Sequence, residues 1–314
     1  MTASERVARP ARAWSASIGP EVALLTVVLL WSSTFVLSKD AFEEISPLAF
    51  IFARFSLMTL LSFGVLAFRG RGVSRRRYWR VASGDRIRFL VAGIFGYMLY
   101  QLGFVLGLDR TSPFSSSLLI ALVPLFTVLI LTVRGERPPL TSWIGLTVAI
   151  AGVVLFLTGK DAGGGTLLGD TISLGAGMAF AAYGVVNRPL VQAYEPETYT
   201  AYSVLAGSVP LLIISAPAAL SQDWGSISAG VWGSILYLTV FPVYVAYMLW
   251  NWAIARRGAA VATSVSLLVP VFSGLLSVLF FDERFGALKL VGAALVLAGL
   301  VVLRWQRRIK PAST

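Results

Sequence analysis

No cysteine and no histidine occurs among the 314 residues. The first absence excludes disulfides, thiolate chemistry and cysteine-held metal. The second removes the commonest general base, proton shuttle and zinc ligand. Charge is scarce as well: 13% of residues are Asp, Glu, Lys or Arg, against roughly 25% in an ordinary soluble chain. So sparse an inventory leads us to expect no catalytic centre, no metal site and no cofactor. Segments of about ten residues with alternating polarity, the signature of a membrane β-barrel, are also missing. The first 20 residues lack a short apolar core with a cleavage site, so no cleaved signal peptide is expected.

What fills the chain is apolar. Hydrophobic residues make up 57% and the mean hydropathy is +0.78. Runs of about 20 apolar residues, each long enough to cross ~30 Å of hydrocarbon as a helix, recur from end to end. The pattern predicts an all-α integral membrane protein with ten spans, at 21–38, 47–68, 88–108, 113–133, 141–158, 169–188, 199–220, 230–254, 258–280 and 286–304. Only "ARRG" (255–258) separates the eighth from the ninth. With the N-terminus in the cytoplasm, twenty of the 26 basic residues fall in cytoplasmic segments. Lys39, Arg110, Lys160 and Arg284 fall outside, and Arg54 and Lys289 within spans. That asymmetry places both termini inside. It also accounts for the net charge of +11 without a nucleic-acid partner. The expected partners are the lipid bilayer and a small-molecule substrate, and a monomer suffices for both.

The halves resemble each other. "ALVPLF" (121–126) matches "LLVPVF" (267–272), aligning Pro124 with Pro270 at an offset of 146. The same offset pairs Arg110 with Arg256. At 147, Glu136 meets Glu283, Gly145 meets Gly292 and Gly152 meets Gly299. At 149, Lys39 meets Arg188 and Pro47 meets Pro196. The division is then a tail (1–20), a first repeat (21–158), an external linker (159–168), a second repeat (169–304) and a second tail (305–314). The glycines of "DAGGGTLLGD" (161–170) lack the Lys-Ser/Thr of a phosphate loop and read as a connector. Five spans per repeat is an odd number, so the second repeat enters from the opposite face. Inverted repeats of this kind are typical of secondary transporters, with substrate held near the midplane.

"LLWSSTF" in the first span, "FARF" (52–55) in the second, and the Pro-centred fourth and ninth spans followed by Glu and a Gly-rich span resemble the EamA-type transporters of the drug/metabolite transporter superfamily. Aromatic amino-acid exporters of bacteria form one branch. The resemblance covers essentially the whole chain. One departure is Ser32, where the first-span signature usually has Gly. The resemblance implies a basket-shaped ten-helix bundle around a central cavity lined by the first, third, fourth, sixth, eighth and ninth spans. It also implies a bacterial-type inner membrane and efflux of small metabolites, often amino acids.

Candidate residues follow. Pro124 and Pro270 occupy equivalent mid-span positions, where each removes a backbone donor; they are read as hinges, with Pro242 as a less symmetric third. For the substrate, Trp31, Ser33 and Thr34 are candidates in the first span. Hydroxyls in hydrocarbon bond back to their own helix at little cost, but three in a row with Ser32 cover most of a turn, so one faces the interior. Ser115 to Ser117, with Ser117 foremost, and Thr263, Ser264 and Ser266 form a second polar set before the two prolines. Tyr97 and Gln101 lie four apart on one face with Tyr100 beside them. Tyr183, Tyr244 and Tyr247 complete an aromatic lining suited to a zwitterion with an apolar or aromatic side chain. Trp143, Trp232 and Trp305 read as interfacial anchors.

Arg54 and Lys289 are the intramembrane charges. Arg54, ~10 Å into its span at 1.5 Å per residue, either attracts a substrate carboxylate or ties helices together; Lys289 is near a span end and is expected to snorkel. No Asp or Glu falls mid-span, so weak or no proton coupling is expected. The favoured function is export of neutral or aromatic amino acids by alternating access. A sugar-phosphate or nucleotide-sugar exchanger is the alternative, although it calls for several converging cations. A membrane-embedded enzyme is disfavoured because paired mid-span Asp and His are missing.

Overall fold

The computed structural model describes residues 19–71, 79–159, 165–257 and 265–305. Within these it is all helix, and helices cover the described part of every expected span. They are α1 (Gly19–Ala41), α2 (Pro47–Arg69), α3 (Arg86–Gly93, a π-turn Ile94–Leu99, then Tyr100–Arg110), α4 (Pro113–Ile120 and Val123–Val133), α5 (Leu140–Thr158) and α6 (Leu167–Val186). After them come α7 (Pro196–Ser221), α8 (Ala229–Val240, a π-turn Phe241–Val245, then Ala246–Arg257), α9 (Leu268–Phe281) and α10 (Ala287–Trp305). Both tails, the basic stretch 72–78, Lys160, the glycine run up to residue 164, and Thr263 and Ser264 lie outside the described residues, as does the Trp305 side chain.

Seven of these helices, α1 to α5 with α7 and α8, are long and apolar enough to cross a membrane; α9 and α10 are shorter apolar helices. The remaining one, α6, carries Asp170 and four glycines among its 20 residues, which lowers its hydropathy. The chain is a multi-pass membrane protein.

Helix starts follow from local chemistry. Ser46 and Ser112 accept N–H bonds from Ala49 and Ser115, each followed by a proline at the first helical position, where the missing N–H costs nothing. Thr166 and Ser228 cap α6 and α8 in the same way. At the other ends, Arg110 and Arg256 each donate to the carbonyl four residues back, Leu106 and Trp252, placing positive charge on helix C-termini. These two arginines are the pair that the repeat aligned.

The main pairings are α5 with α10, α2 with α7 and α8, α3 with α6 and α7, α1 with α8 and α9, and α4 with α6 and α9. Exchanging α1–α5 with α6–α10 leaves this set unchanged. Equivalent helices that touch run antiparallel. Arg69 at the end of α2 pairs with Glu197 at the start of α7 at 2.9 Å, while Ser46, just before α2, donates its N–H to Gln222 just after α7. Likewise Gly145 faces Gly299 and Leu303, whereas Gly159 faces Lys289.

Glycines set the α5–α10 distance. A Cβ on Gly152 would stand 2.5 Å from Val296 N and 2.9 Å from Gly292 O; one on Gly145 would stand 2.8 Å from Gly299 O. The backbones touch, as small residues allow in lipid. Gly152→Val is therefore expected to cost about 1–3 kcal/mol or more through overpacking, read as a lower melting temperature of the purified protein in detergent. Gly64→Val, at a position with open space around it, should melt near the wild type.

Candidate functional site

Four interruptions shape the interior, in two matched pairs. In α4 the helix breaks at Ala121–Leu122 and restarts at Val123 with Pro124 in its first turn. In α9 a turn at Ser266–Leu267 precedes the restart, and Pro270 follows within three residues. The π-turns of α3 and α8 form the second pair. Tyr97 and Tyr244, and Tyr100 and Tyr247, stand 147 residues apart and ride on equivalent irregularities. Isolated π-turns concentrate at functional sites.

The π-turn of α8 frees backbone acceptors, and distant side chains take them up. Ala246 N–H reaches back five residues to Phe241 O, so the Pro242 carbonyl lacks its usual partner. The Trp31 indole N–H donates to it at 3.1 Å. Pro242 itself has no N–H to give the carbonyl four residues earlier, Leu238. Arg54 Nη2 donates to that carbonyl at 3.2 Å. Pro242 thus draws a residue from α1 and another from α2 onto α8. In α3 the Tyr100 N–H reaches back to Phe95 O in the same manner.

Around these points the aromatic residues gather. Trp31 meets Tyr247 edge-on at 5.9 Å and Trp250 at 5.1 Å. Tyr97 meets Tyr183 edge-on at 5.8 Å, and Tyr100 lies 4.7 Å from Phe180, which lies 5.5 Å from Tyr183. Phe104 stacks on Tyr100 at 6.2 Å and meets Phe35 edge-on at 5.3 Å, one turn along α1 from Trp31, which joins the two groups into one cluster drawn from α1, α3, α6 and α8. Tyr247 is nonetheless 45% exposed, and Trp31, Tyr97 and Tyr100 are half-buried, so the rings line accessible space. Gly96 makes room for one of them: a Cβ there would overlap the Tyr183 ring. Trp31, Tyr97, Tyr100, Tyr183 and Tyr247 are accordingly brought together.

Other expected residues sit elsewhere. Tyr244 turns to α2 and shares a hydrogen bond with Ser62. Ser33 donates to Leu30 O and shares a bond with Tyr237. Thr34 donates to Leu30 O, and Ser117, 2% exposed, to Phe114 O, so these two hydroxyls are satisfied by their own helices. Ser32, the departure from the family signature, donates to Val28 O and across to Val269 O beside Pro270. Gln101 has a buried Oε1 with no partner among the described residues. Trp143 and Trp232 are exposed near the starts of α5 and α8, as anchors would be.

Lys289 corrects the sequence reading. It does not snorkel: it is 2% exposed, donates to Glu283 at 3.1 Å, and lies 5.2–5.8 Å from the ring centres of Phe114, Phe156 and Phe285. Glu283 also accepts from Ser277. A carboxylate at hand makes burial cheaper than reaching for the interface.

Sequence reasoning missed Tyr199, Asn187 and Tyr237. Tyr199 bonds to the Tyr183 hydroxyl and accepts from Asn187 Nδ2 at 2.9 Å. Nothing local marks these residues, because their roles arise from helices meeting. The paired π-turns did leave a signal, the two tyrosine pairs at the repeat offset. A separate apolar hollow of about 570 Å³, lined by Phe52, Ser56, Trp224, Trp232 and Leu236 among others, opens between α2 and α8; it contains none of the expected substrate residues.

Helices doubled in sequence, exchange-symmetric in packing and interrupted at matched points around an accessible aromatic cluster define a membrane transporter rather than an enzyme. The chain belongs to the EamA-like transporter family, which matches residues 20–158 and again 167–305. It is 28% identical to the uncharacterized transporter YyaM of Bacillus subtilis, over 93% of this chain and 96% of that one. It is 27% identical to a probable terminal-alkyne amino-acid exporter of Streptantibioticus cattleyicolor, covering 93% and 96%. It is 25% identical to a probable amino-acid metabolite efflux pump of Escherichia coli, covering 93% and 98%. One crystal structure shares the fold with a TM-score of 0.60 at 22% identity, covering 93% of this chain and 99% of that one.

Proposed function

We propose that the protein is a secondary transporter exporting small amphipathic metabolites, foremost neutral or aromatic amino acids, by alternating access. It does so with weak or no proton coupling, as a monomer in a bacterial-type inner membrane with both termini cytoplasmic. Ten spans in two inverted five-helix repeats enclose its cavity. The antiparallel packing of α2 on α7 and of α5 on α10 supports the inversion.

The observation that carries the functional reading is the accessible aromatic cluster mounted on two equivalent π-turns. Trp31, Tyr97, Tyr100, Tyr183 and Tyr247 offer ring faces and edges to an apolar side chain, and the hydroxyls of Tyr97, Tyr100 and Tyr247 suit a polar head. Two relatives bear amino-acid export in their names, which favours the same substrates here. Weak coupling is supported by the buried carboxylates: Glu283 is held by Lys289 and Ser277, and Asp170 accepts from Thr111 at the start of α6. Both are at helix ends rather than beside the aromatic cluster. A sugar phosphate would call for several free cations, yet Lys289 is committed to Glu283 and Lys39 to the carbonyls of Leu108 and Asp109.

The test is uptake by liposomes containing the purified protein, with labelled Phe, Thr and glucose 6-phosphate in parallel. Uptake of Phe or Thr down its gradient is expected, and uptake of the sugar phosphate alone would overturn the reading. An imposed pH gradient should change the plateau of amino-acid uptake by less than about twofold. Accumulation that collapses with the gradient would overturn the weak-coupling part.

A further inference from the structure

Resting on that reading, we propose that Arg54 is the anchor for the substrate's carboxylate, reached from the aromatic cluster past Tyr100. Arg54 is 4% exposed. Of its three guanidinium nitrogens only Nη2 has a partner, the backbone carbonyl of Leu238; Nε and Nη1 are buried and have none among the described residues. No carboxylate pairs with it there. A guanidinium stripped of water in the middle of a hydrophobic core is costly unless it meets an anion, and charges at this depth in membrane proteins mark substrate pathways.

The surroundings narrow the anion. Tyr100 packs against the same core cluster as Phe55, which follows Arg54 in the chain, and Leu238, whose carbonyl Arg54 holds. The same Tyr100 ring packs on Phe180 at 4.7 Å and on Phe104 at 6.2 Å. Tyr100 is therefore shared: its ring belongs to the aromatic wall and also packs on the core around Arg54. Apolar packing by Phe55, Met58, Phe104 and Leu238 encloses this region, so it suits one small anionic group carried on an aromatic or aliphatic body, and not a polyanion.

Arg54 also holds α8 through Leu238, so its removal disturbs structure as well as recognition, and the two effects have to be separated. Pro242→Ala returns an N–H to the carbonyl of Leu238, relieving the structural duty. The experiment measures binding of L-Phe, phenethylamine (no carboxylate) and 3-phenylpropionate (no ammonium) to wild type, Arg54→Gln, and the Arg54→Gln/Pro242→Ala double variant. Each preparation is checked by melting and size exclusion. Loss of a charge-assisted contact is expected to weaken Phe and 3-phenylpropionate by about 10- to 100-fold in both Arg54 variants, while phenethylamine changes by less than about threefold. Equal weakening of all three ligands, in the double variant as well as the single, makes Arg54 a structural tie and overturns the proposal. So does unchanged Phe binding. If wild type binds 3-phenylpropionate and neither binds nor moves Phe or Thr, the amino-acid reading falls while the carboxylate site stands, provided Arg54→Gln loses that ligand. Wild type that binds no carboxylate in the panel overturns both.

Discussion

Lys289→Met is expected to destabilise the protein by about 3–5 kcal/mol, because it leaves the Glu283 carboxylate buried without its cation. The pair has almost no contact with solvent, the side chains being 3% and 10% exposed. Water cannot replace the lost partner, and the three phenylalanine rings around the ammonium lose the cation they enclose. The rings come from α4, α5 and the segment before α10, and Ser277, which also bonds Glu283, comes from α9. The damage should therefore loosen four helices at once. The measurement is reversible unfolding in mixed micelles, backed by melting in detergent. The double variant Lys289→Met/Glu283→Gln should recover most of the loss, since replacing both partners of a buried pair is often close to neutral. A single variant that unfolds like wild type would show that the pair contributes nothing, and a double variant no better than the single would show that packing rather than charge is at stake.

The second large effect is on transport. Trp31→Ala should reduce the initial rate of Phe uptake by roughly 100-fold, and Trp31→Phe by roughly 10-fold, with protein yield and melting little changed for the latter. The indole does two things. Its N–H satisfies the Pro242 carbonyl that the π-turn leaves open, a net contribution of about 1 kcal/mol and more if the acceptor is left dry. Its ring holds Tyr247 and Trp250 in place, each ring pair adding about 0.5–1.5 kcal/mol beyond area burial. Phe keeps part of the second role and none of the first, whereas Ala keeps neither. Equal rates for Phe and wild type would dismiss the hydrogen bond, and an active Ala variant would remove Trp31 from the site.

Much of this architecture is legible in the chain itself, because in lipid the backbone must satisfy its own hydrogen bonds and length with hydropathy nearly determines each span. The doubled motifs carry the pairing of halves. Pro124 and Pro270 are visible since a missing N–H has the same consequence wherever the helix lies. Residue type alone does not say where a hydroxyl points. Ser117 and Thr34 look like cavity groups in the sequence, yet bond to their own helices, while Ser32, the conspicuous departure, reaches α9. Nor does sequence reveal a partner six residues away across a bend: Lys289 reads as a lone cation near a span end, and only the fold back from Glu283 makes it a buried pair. The π-turns escaped for a related reason. No residue type encodes them, and their mark, two tyrosines repeated at the spacing of the halves, has meaning only once the backbone is seen.

The backbone contact between α5 and α10 has a mechanical consequence. Two helices that touch through Gly145, Gly152, Gly292 and Gly299 have no side-chain cushion to compress, so they form the stiffest member of the assembly. Compliance is left to the matched discontinuities, and these all lie in α3, α4, α8 and α9. A cycle that carries cargo across the membrane should therefore leave the distance from residue 149 to residue 296 fixed while distances within those four helices change. Spin labels at the two kinds of position can read that division of labour directly.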